Sequence, residues 1–162
     1  MSAIVKTRHG GSAQRGITLV ESLVALVVLS VGMLGIAGLY ISSLKAGRSA
    51  LVRTQAVALA TDIADRIRAN RAGLGGYNTA SYADAPAIKT ACLGGDCTPA
   101  VLAEDDLGRW QAMIQLLMPS DAKGTVAFED VAAPAPDRYT ITISWRESGD
   151  TSDSTCVMVV EL

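Results

Sequence analysis

The stretch Arg15-Gly16-Ile17-Thr18-Leu19-Val20-Glu21 opens an apolar run that continues to Ile41. From Ile17 to Ile41 the run is 25 residues long and carries one charge, Glu21, near its start. As a helix it would extend about 37 Å at the standard rise, enough to cross a hydrocarbon core about 30 Å thick. A carboxylate within such a segment costs roughly 2.5–3.5 kcal/mol on insertion scales, so the charge needs a reason. A secretory signal sequence supplies none: its apolar region is only about 7–15 residues long and its small-residue cleavage site follows that region. Here the run is longer, and the small residue, Gly16, precedes it. No cysteine stands at the mouth of the run, so a lipoprotein signal fits no better. A plain N-terminal anchor accounts for the length and leaves Glu21 without a role. One arrangement accounts for both features. Residues 1–16 form a hydrophilic leader cut after Gly16, Ile17 becomes the new N-terminus, and Glu21 becomes the fifth mature residue.

This arrangement resembles the class III leader of type IV pilins and of type II secretion pseudopilins. The leader is basic, with Lys6, Arg8 and Arg15. Positive residues stay on the cytoplasmic side, which puts the N-terminus inside and the C-terminal bulk outside. The expected organisation is a cleaved leader over 1–16, the transmembrane and assembly half of an N-terminal helix over 17–41, and a periplasmic head over 42–162 that includes the second half of that helix. The resemblance implies Gly16 and Ile17 as the cleavage site and Ile17 as the residue that is N-methylated.

The single histidine, His9, lies in the leader. The mature chain therefore lacks the imidazole that nucleophile–base pairs and most protein metal sites use. Asp105 and Asp106 are adjacent, and adjacent residues on a helix do not face each other, so a solvated helix face is the expectation for them. Gly73-Leu74-Gly75-Gly76 reads as a helix stop rather than a phosphate cradle. No catalytic residue, no metal site and no cofactor are expected, and the chain is not read as an enzyme. Charge is uneven: Lys45 to Arg71 holds six basic residues against Asp62 and Asp65, whereas from Ala72 onward five basic residues face thirteen acidic ones. Two readings stay open, two ordinary solvated surfaces or complementary surfaces on neighbouring subunits. The acidic head argues against direct nucleic-acid binding.

The first helix is expected to run from about Thr18 to Ala69. Beyond the apolar run, Leu44, Leu51, Val52, Ala56, Leu59, Ile63 and Ile67 recur at steps of three and four, with Arg53, Asp62, Arg66 and Arg68 between them, the mark of one buried stripe. Gly32, Gly35 and Gly38 interrupt the apolar half; they suit either close helix packing or a segment able to loosen its helix. Gly73 to Ala100 reads as loop. Within it, Cys92-Leu93-Gly94-Gly95-Asp96-Cys97 suits a small disulfide-closed loop, which export permits. Pairing of Cys156 with Cys92 or Cys97 is the alternative. Val101 to Met118 reads as a second helix with Leu102, Leu107, Trp110, Ile114 and Leu117 on its apolar face, and Glu104, Asp105 and Asp106 in its first turns. Thr125–Val131, Tyr139–Trp145 and Thr155–Glu161 read as strands. Trp110 and Trp145 are expected in the core, and Cys156 is expected as a small buried residue.

The run Gly16-Ile17-Thr18-Leu19-Val20-Glu21-Ser22-Leu23-Val24-Ala25-Leu26-Val27-Val28-Leu29-Ser30-Val31-Gly32, the stem end Leu59 to Arg71, Asp106-Leu107-Gly108-Arg109-Trp110 and Tyr139 to Trp145 together resemble the minor pilins known as type IV pilus modification proteins, the PilV family. The resemblance implies a pilin-like α+β fold, with the long N-terminal helix packed against a small antiparallel β-sheet and a second short helix. It implies a low-abundance fimbrial subunit that initiates or caps pilus assembly, serving twitching motility, adhesion or DNA uptake through the filament. The implied partners are the prepilin peptidase, other minor pilins, the major pilin and the inner-membrane assembly platform. The implied location is the inner membrane as a single-pass protein, head in the periplasm, and then the pilus near its tip. Glu21 would be an assembly contact. A minor pseudopilin of type II secretion shares the leader and stem and is the alternative.

Overall fold

The computed structural model describes residues 16–81, 86–95, 97–132, 134–147, 149 and 151–162. Apart from Gly16, the leader lies outside the described residues. The chain divides into two compact units, 1–44 and 45–162.

Helix α1 spans Leu19–Ala69, 51 residues. Thr18 closes its first turn: the Glu21 N–H donates to Thr18 Oγ1 at 3.3 Å, and the Ser22 N–H to the Thr18 carbonyl at 3.2 Å. In the first unit the helix is apolar all round, and its side chains are exposed from Leu19 to Leu44. Among the described residues it is the one helix long and apolar enough to cross a membrane, with a mean hydropathy of 2.4 in its most apolar part and no residue of that part buried.

In the second unit the same helix carries a single stripe. Ala56, Leu59, Ala60, Ile63, Ala64 and Ile67 are buried. Leu44 and Leu51, expected on that stripe, are exposed. A helix turns about 100° per residue, which carries both leucines round to the side away from the Ala56–Ile67 face. The buried face begins only at half-buried Val52.

Between the helices, 71–98 is not featureless loop. It holds three 3-10 turns, Arg71–Gly76, Thr79–Ser81 and Thr90–Leu93. Helix α2 follows over Pro99–Leu117. It starts two residues before the expected Val101 because Thr98 and Pro99 make a complete N-terminus: the Val101 N–H donates to Thr98 Oγ1 at 3.4 Å, and proline occupies a position where its missing N–H costs nothing. The earlier start leaves the first turn without an acid, so Glu104, Asp105 and Asp106 lie deeper in the helix than expected. Its buried apolar residues are Ala103, Leu107, Trp110 and Ile114. Leu102 is half-buried and Leu117 is exposed; the chain leaves the helix at Met118, and Met118 is buried in place of Leu117.

Three strands form an antiparallel meander in the order β1-β2-β3: β1 Lys123–Glu129, β2 Arg138–Arg146 and β3 Asp153–Glu161. Val126 pairs with Ile141, and Ile141 with Met158. β1 and β3 both begin two residues before their expected starts, and β1 also ends two residues early. Gly124 explains β1: it lies against Trp110 and Ile114 of α2, an approach that only a residue without Cβ permits. Tyr139, Ile141, Ile143 and Trp145 of the central strand all point inward and are buried, as their alternation predicts. With Val126, Val160 and the α1 and α2 stripes they form one core. The Trp110 indole N–H donates to the Leu59 carbonyl at 2.9 Å, joining α2 to α1. Thr79 Oγ1 donates to the Val126 carbonyl and accepts from the Val126 N–H, both at 3.0 Å, which shields the outer edge of β1. Cys156 on β3 is half-buried rather than buried, since β3 is an edge strand.

The crowding at Gly124 gives a test. A methyl group there meets Trp110 Cη2 at 2.6 Å. Overpacking costs about 1–3 kcal/mol, offset by the smaller unfolded-state entropy of alanine. Gly124→Ala should therefore destabilise the head by about 1–2 kcal/mol, read as a lower midpoint in tryptophan-monitored unfolding of the detergent-solubilised protein. An unchanged or raised midpoint would contradict this packing.

Candidate functional site

Gly16 and Ile17 precede α1, and both are exposed, Ile17 by 75%. The described residues give no reason for glycine at position 16. A Cβ there would meet nothing within 4 Å, and the glycines with positive φ among the described residues are Gly95 and Gly149. Gly73 and Gly108, by contrast, lie against the backbone of Pro99 and of Pro86. The requirement at Gly16, where there is one, comes from outside the folded chain.

Glu21 is exposed and is the acid in the first turn of α1. The helix dipole favours a negative charge there. Thr18 and Glu21 have the spacing of a capping box, and the half seen in the structure is the Glu21 N–H on Thr18 Oγ1. This local role was readable from T-x-x-E and was missed in the sequence. It eases the cost of the charge without covering the carboxylate.

The head holds a buried polar cluster that runs against the sequence expectation. Asp105 and Asp106 are not on a solvated face: they are 3% and 7% exposed. Being adjacent, they point to different partners. Asp106 Oδ1 accepts from Arg66 Nη1 at 2.9 Å, and its Oδ2 accepts from the Tyr77 hydroxyl at 2.5 Å. Arg66 Nε also donates to Asp62 Oδ2 at 3.0 Å. Asn70 Nδ2 donates to the Pro99 carbonyl at 2.7 Å and to the Tyr77 hydroxyl at 3.3 Å. Asp105 accepts from Arg109 Nε at 2.7 Å and from the Lys89 N–H at 2.6 Å. The end of α1, the turn after it and the start of α2 are thus joined by paired charges. Tyr77, read as part of a loop, is fully buried.

The electrostatics follow the geometry. Burial opposes the charge of Arg66, but the hydrogen bonds to Asp106 and Asp62 outweigh it and raise its pKa. Burial also opposes the charge of Asp105; the bonds from Arg109 and from the Lys89 N–H outweigh it and hold the carboxyl below its ordinary value. Burial, reinforced by Asp106, pushes the Tyr77 phenol well up. Burial, with Asp137 adding to it, pushes Tyr139 up to about 12.

Cys92 and Cys97 form a disulfide with a Cα–Cα distance of 5.0 Å. Gly95, at φ +85°, turns the loop between them. Lys89, three residues before Cys92, pins this loop to α2 through Asp105 and through a 2.9 Å ion pair of its Nζ with Glu104. Cys156 is a free thiol. Among the described residues no group of three or more His, Cys, Asp or Glu is placed to hold a metal ion.

A family model described as Prokaryotic N-terminal methylation motif matches residues 11–37, and one described as Type IV pilin Tt1218 matches residues 38–108. Residues 38–108 are thus similar to a type IV pilin domain and 11–37 to a prepilin methylation motif, which together support a type IV pilin. The pilin match takes in the polar cluster, from Arg66 through Asn70 and Tyr77 to Asp106. No curated protein and no solved structure matches significantly. Pilins are structural proteins, and the cluster fits that role: its acids, base and phenol satisfy one another. The methylation motif implies processing by prepilin peptidase and use of the pilus assembly machinery. With the apolar helix, it supports membrane anchoring before assembly.

Head stability should be flat through neutral pH and fall at both ends. Both tyrosines have raised folded pKa values, so their contribution is complete below the unfolded value of about 10 and is lost as pH rises, for Tyr139 through about 12. Asp105 has a lowered value, so its contribution is complete above about 4 and is lost as pH falls. Tyr77→Phe should cost about 1–2 kcal/mol at neutral pH, because Asp106 loses a buried donor, and should weaken the alkaline loss. Unfolding midpoints measured from about pH 3 to about pH 11 check both ends; an alkaline limb identical in Tyr77→Phe would assign it elsewhere.

Proposed function

We propose that this pilin is a minor subunit of the type IV pilus, of the PilV type, which initiates or caps assembly near the filament tip. The observation that carries the reading is an uncrowded Gly16, followed at once by an exposed apolar helix with Glu21 in its first turn. Each feature serves something outside the folded chain. Residues 1–16 act as the leader that prepilin peptidase removes, and Gly16 lets the enzyme approach the backbone. Residues 17–41 hold the protein in the inner membrane with the head, 42–162, in the periplasm, and later pack in the filament core.

Cleavage creates an amine at Ile17, four residues from Glu21, which the peptidase methylates. Glu21 of an incoming subunit meets the amine of a neighbour. In a low-dielectric core such a pair holds only where the geometry is good, and an unpaired partner is costly, so the contact sets axial register. The neighbours are other minor pilins and the major pilin, recruited at the inner-membrane assembly platform. The minor role rests on the resemblance of the stretches around Gly16, Leu59–Arg71 and Asp106–Trp110. The pilin match over 38–108 favours a pilus over a type II secretion pseudopilus.

Two substitutions separate processing from assembly. Gly16→Phe should leave a protein that starts at Met1, seen by intact mass of the membrane pool. Wild type should start at N-methylated Ile17; a wild-type start at Met1 would overturn the reading. Glu21→Ala should insert and be cleaved normally, since it removes a carboxylate from the span, yet be depleted from sheared pili when it is the only copy. Normal recovery in the sheared fraction with normal piliation would remove the assembly role of Glu21.

A further inference from the structure

A cavity of about 560 Å³ lies in the head beside the first turns of the part of α1 that belongs to it, lined among others by Lys45, Arg48, Trp145 and Arg146. Its size is that of small-ligand sites in general. Three of its lining residues are basic, and they differ in how far they are engaged. Arg146 is paired with Asp153 at 2.8 Å. Lys45 and Arg48 are exposed and have no carboxylate partner among the described residues. Two acids also line the cavity. Glu147 is already engaged, accepting from Ser49 Oγ at 2.8 Å and facing Arg53 at 4.0 Å; Asp121 is the second acid of the lining. Trp145 is 2% exposed, and its indole N–H has no acceptor among the described residues. A buried donor without an acceptor carries a desolvation cost. Unpaired cations lining the same cavity as such a donor make the cavity wall suited to an anionic oxygen.

Where this wall lies along the helix narrows the choice of anion. Lys45 stands four residues beyond Ile41, about 6 Å along α1, and Arg48 about 10 Å. The polar headgroup layer on each side of a bilayer core is about 5–7 Å thick. With 17–41 in the bilayer, Lys45 stands at the level of lipid phosphates, and Arg48, one turn farther along, reaches back toward them through its long side chain. Basic residues on the exported side are also contrary to the usual distribution, which keeps them cytoplasmic, so they ask for a specific use. We infer that this cavity binds the phosphate of an anionic phospholipid headgroup while the pilin is stored in the membrane. Lys45 and Arg48 supply the charge, and the indole of Trp145 lies beside the bound phosphate.

The inference rests on the reading that 17–41 spans the membrane, and the test separates the two. The purified full-length protein, in a neutral detergent, is titrated with dihexanoyl-phosphatidylglycerol, with dihexanoylglycerol, which lacks the phosphate, and with inorganic phosphate. Binding is read by native mass spectrometry and tryptophan fluorescence. One phosphatidylglycerol per chain should bind saturably, dihexanoylglycerol should not, and inorganic phosphate should bind about tenfold more weakly or worse. The double variant Lys45→Ala, Arg48→Ala replaces exposed residues, so the head should keep its unfolding midpoint; it should lose phosphatidylglycerol affinity by about tenfold or more. Equal binding by the variant would overturn the site, and inorganic phosphate binding as tightly as the lipid would make free phosphate the ligand and overturn the headgroup assignment. Carbonate extraction of membranes tests the span separately: release of the wild type would overturn the inference through that reading, and retention with unchanged variant binding would overturn the cavity alone.

Discussion

The Asp106 carboxylate is the point on which the order of the head depends. It is buried, and an ionised carboxylate out of water is tolerable only when it is paired and hydrogen-bonded. Its two oxygens take one donor each from two elements: Arg66 on the last turns of α1 and Tyr77 in the segment that follows. Because Asp106 itself belongs to α2, a single side chain ties three successive elements. Arg66 is bound on its other side by Asp62, and the Tyr77 hydroxyl receives the amide of Asn70, so no member is left unpaired. A satisfied network adds little net stability over apolar packing of the same volume, and breaking it by removing one member is costly. Its contribution lies in defining where the stem ends and how the second helix docks.

The other half of α1 is under the opposite constraint. From Leu19 to Leu44 the apolar side chains have no cover among the described residues, and a contiguous patch of that extent does not persist in water. It must be covered by lipid or by protein. The change in pattern along one helix, from apolar all round to a single stripe between charged residues, divides the work. The first part meets partners outside the chain, and the second builds the core with Trp110, Ile141 and Ile143.

The features legible in the sequence were those written in periodicity. The long helix, the alternation of Tyr139 to Trp145, the two core tryptophans and the nearby cysteine pair all depend on local spacing. What escaped depends on tertiary neighbours. Asp105 and Asp106 look like surface residues because acids on a helix normally are; nothing local shows that Arg66, forty residues earlier, and Tyr77, in a glycine-rich stretch, converge on one of them. Leu44 and Leu51 fit the apolar pattern by identity but not by angle, since a leucine one helical step off the stripe is exposed, whereas Leu117 fits by angle but stands at the last position of α2, where the chain leaves the helix. Element starts moved where a cap or a close contact decided them, Thr98 and Pro99 for α2 and the Trp110 ring against Gly124 for β1. For the N-terminal site, the resemblance to prepilin leaders picked out Gly16 and Ile17, and the lone charge in the apolar run picked out Glu21; among the described residues nothing crowds the glycine.

These two constraints bear on how such a subunit passes from membrane to filament. Lipid tails are as apolar as leucine, so moving the Leu19–Leu44 side chains from bilayer to a bundle of neighbouring helices brings little hydrophobic gain. The large terms cancel, and the direction of transfer falls to the few polar groups at the ends of the apolar segment. On the proposed reading these are Glu21 with the amine of Ile17 at one end, and Lys45 and Arg48 at the other. An unpaired Glu21 is less stable in lipid than when paired with a neighbour's amine, which favours leaving the bilayer. Cations held against headgroups favour staying. On that reading, a subunit that waits in the membrane before entering a filament needs both: a retaining contact weak enough to be given up, and an entry contact satisfied only by a correctly registered neighbour. The head contributes a fixed shape, since the Asp106 cluster is satisfied within the head and asks for no partner outside it.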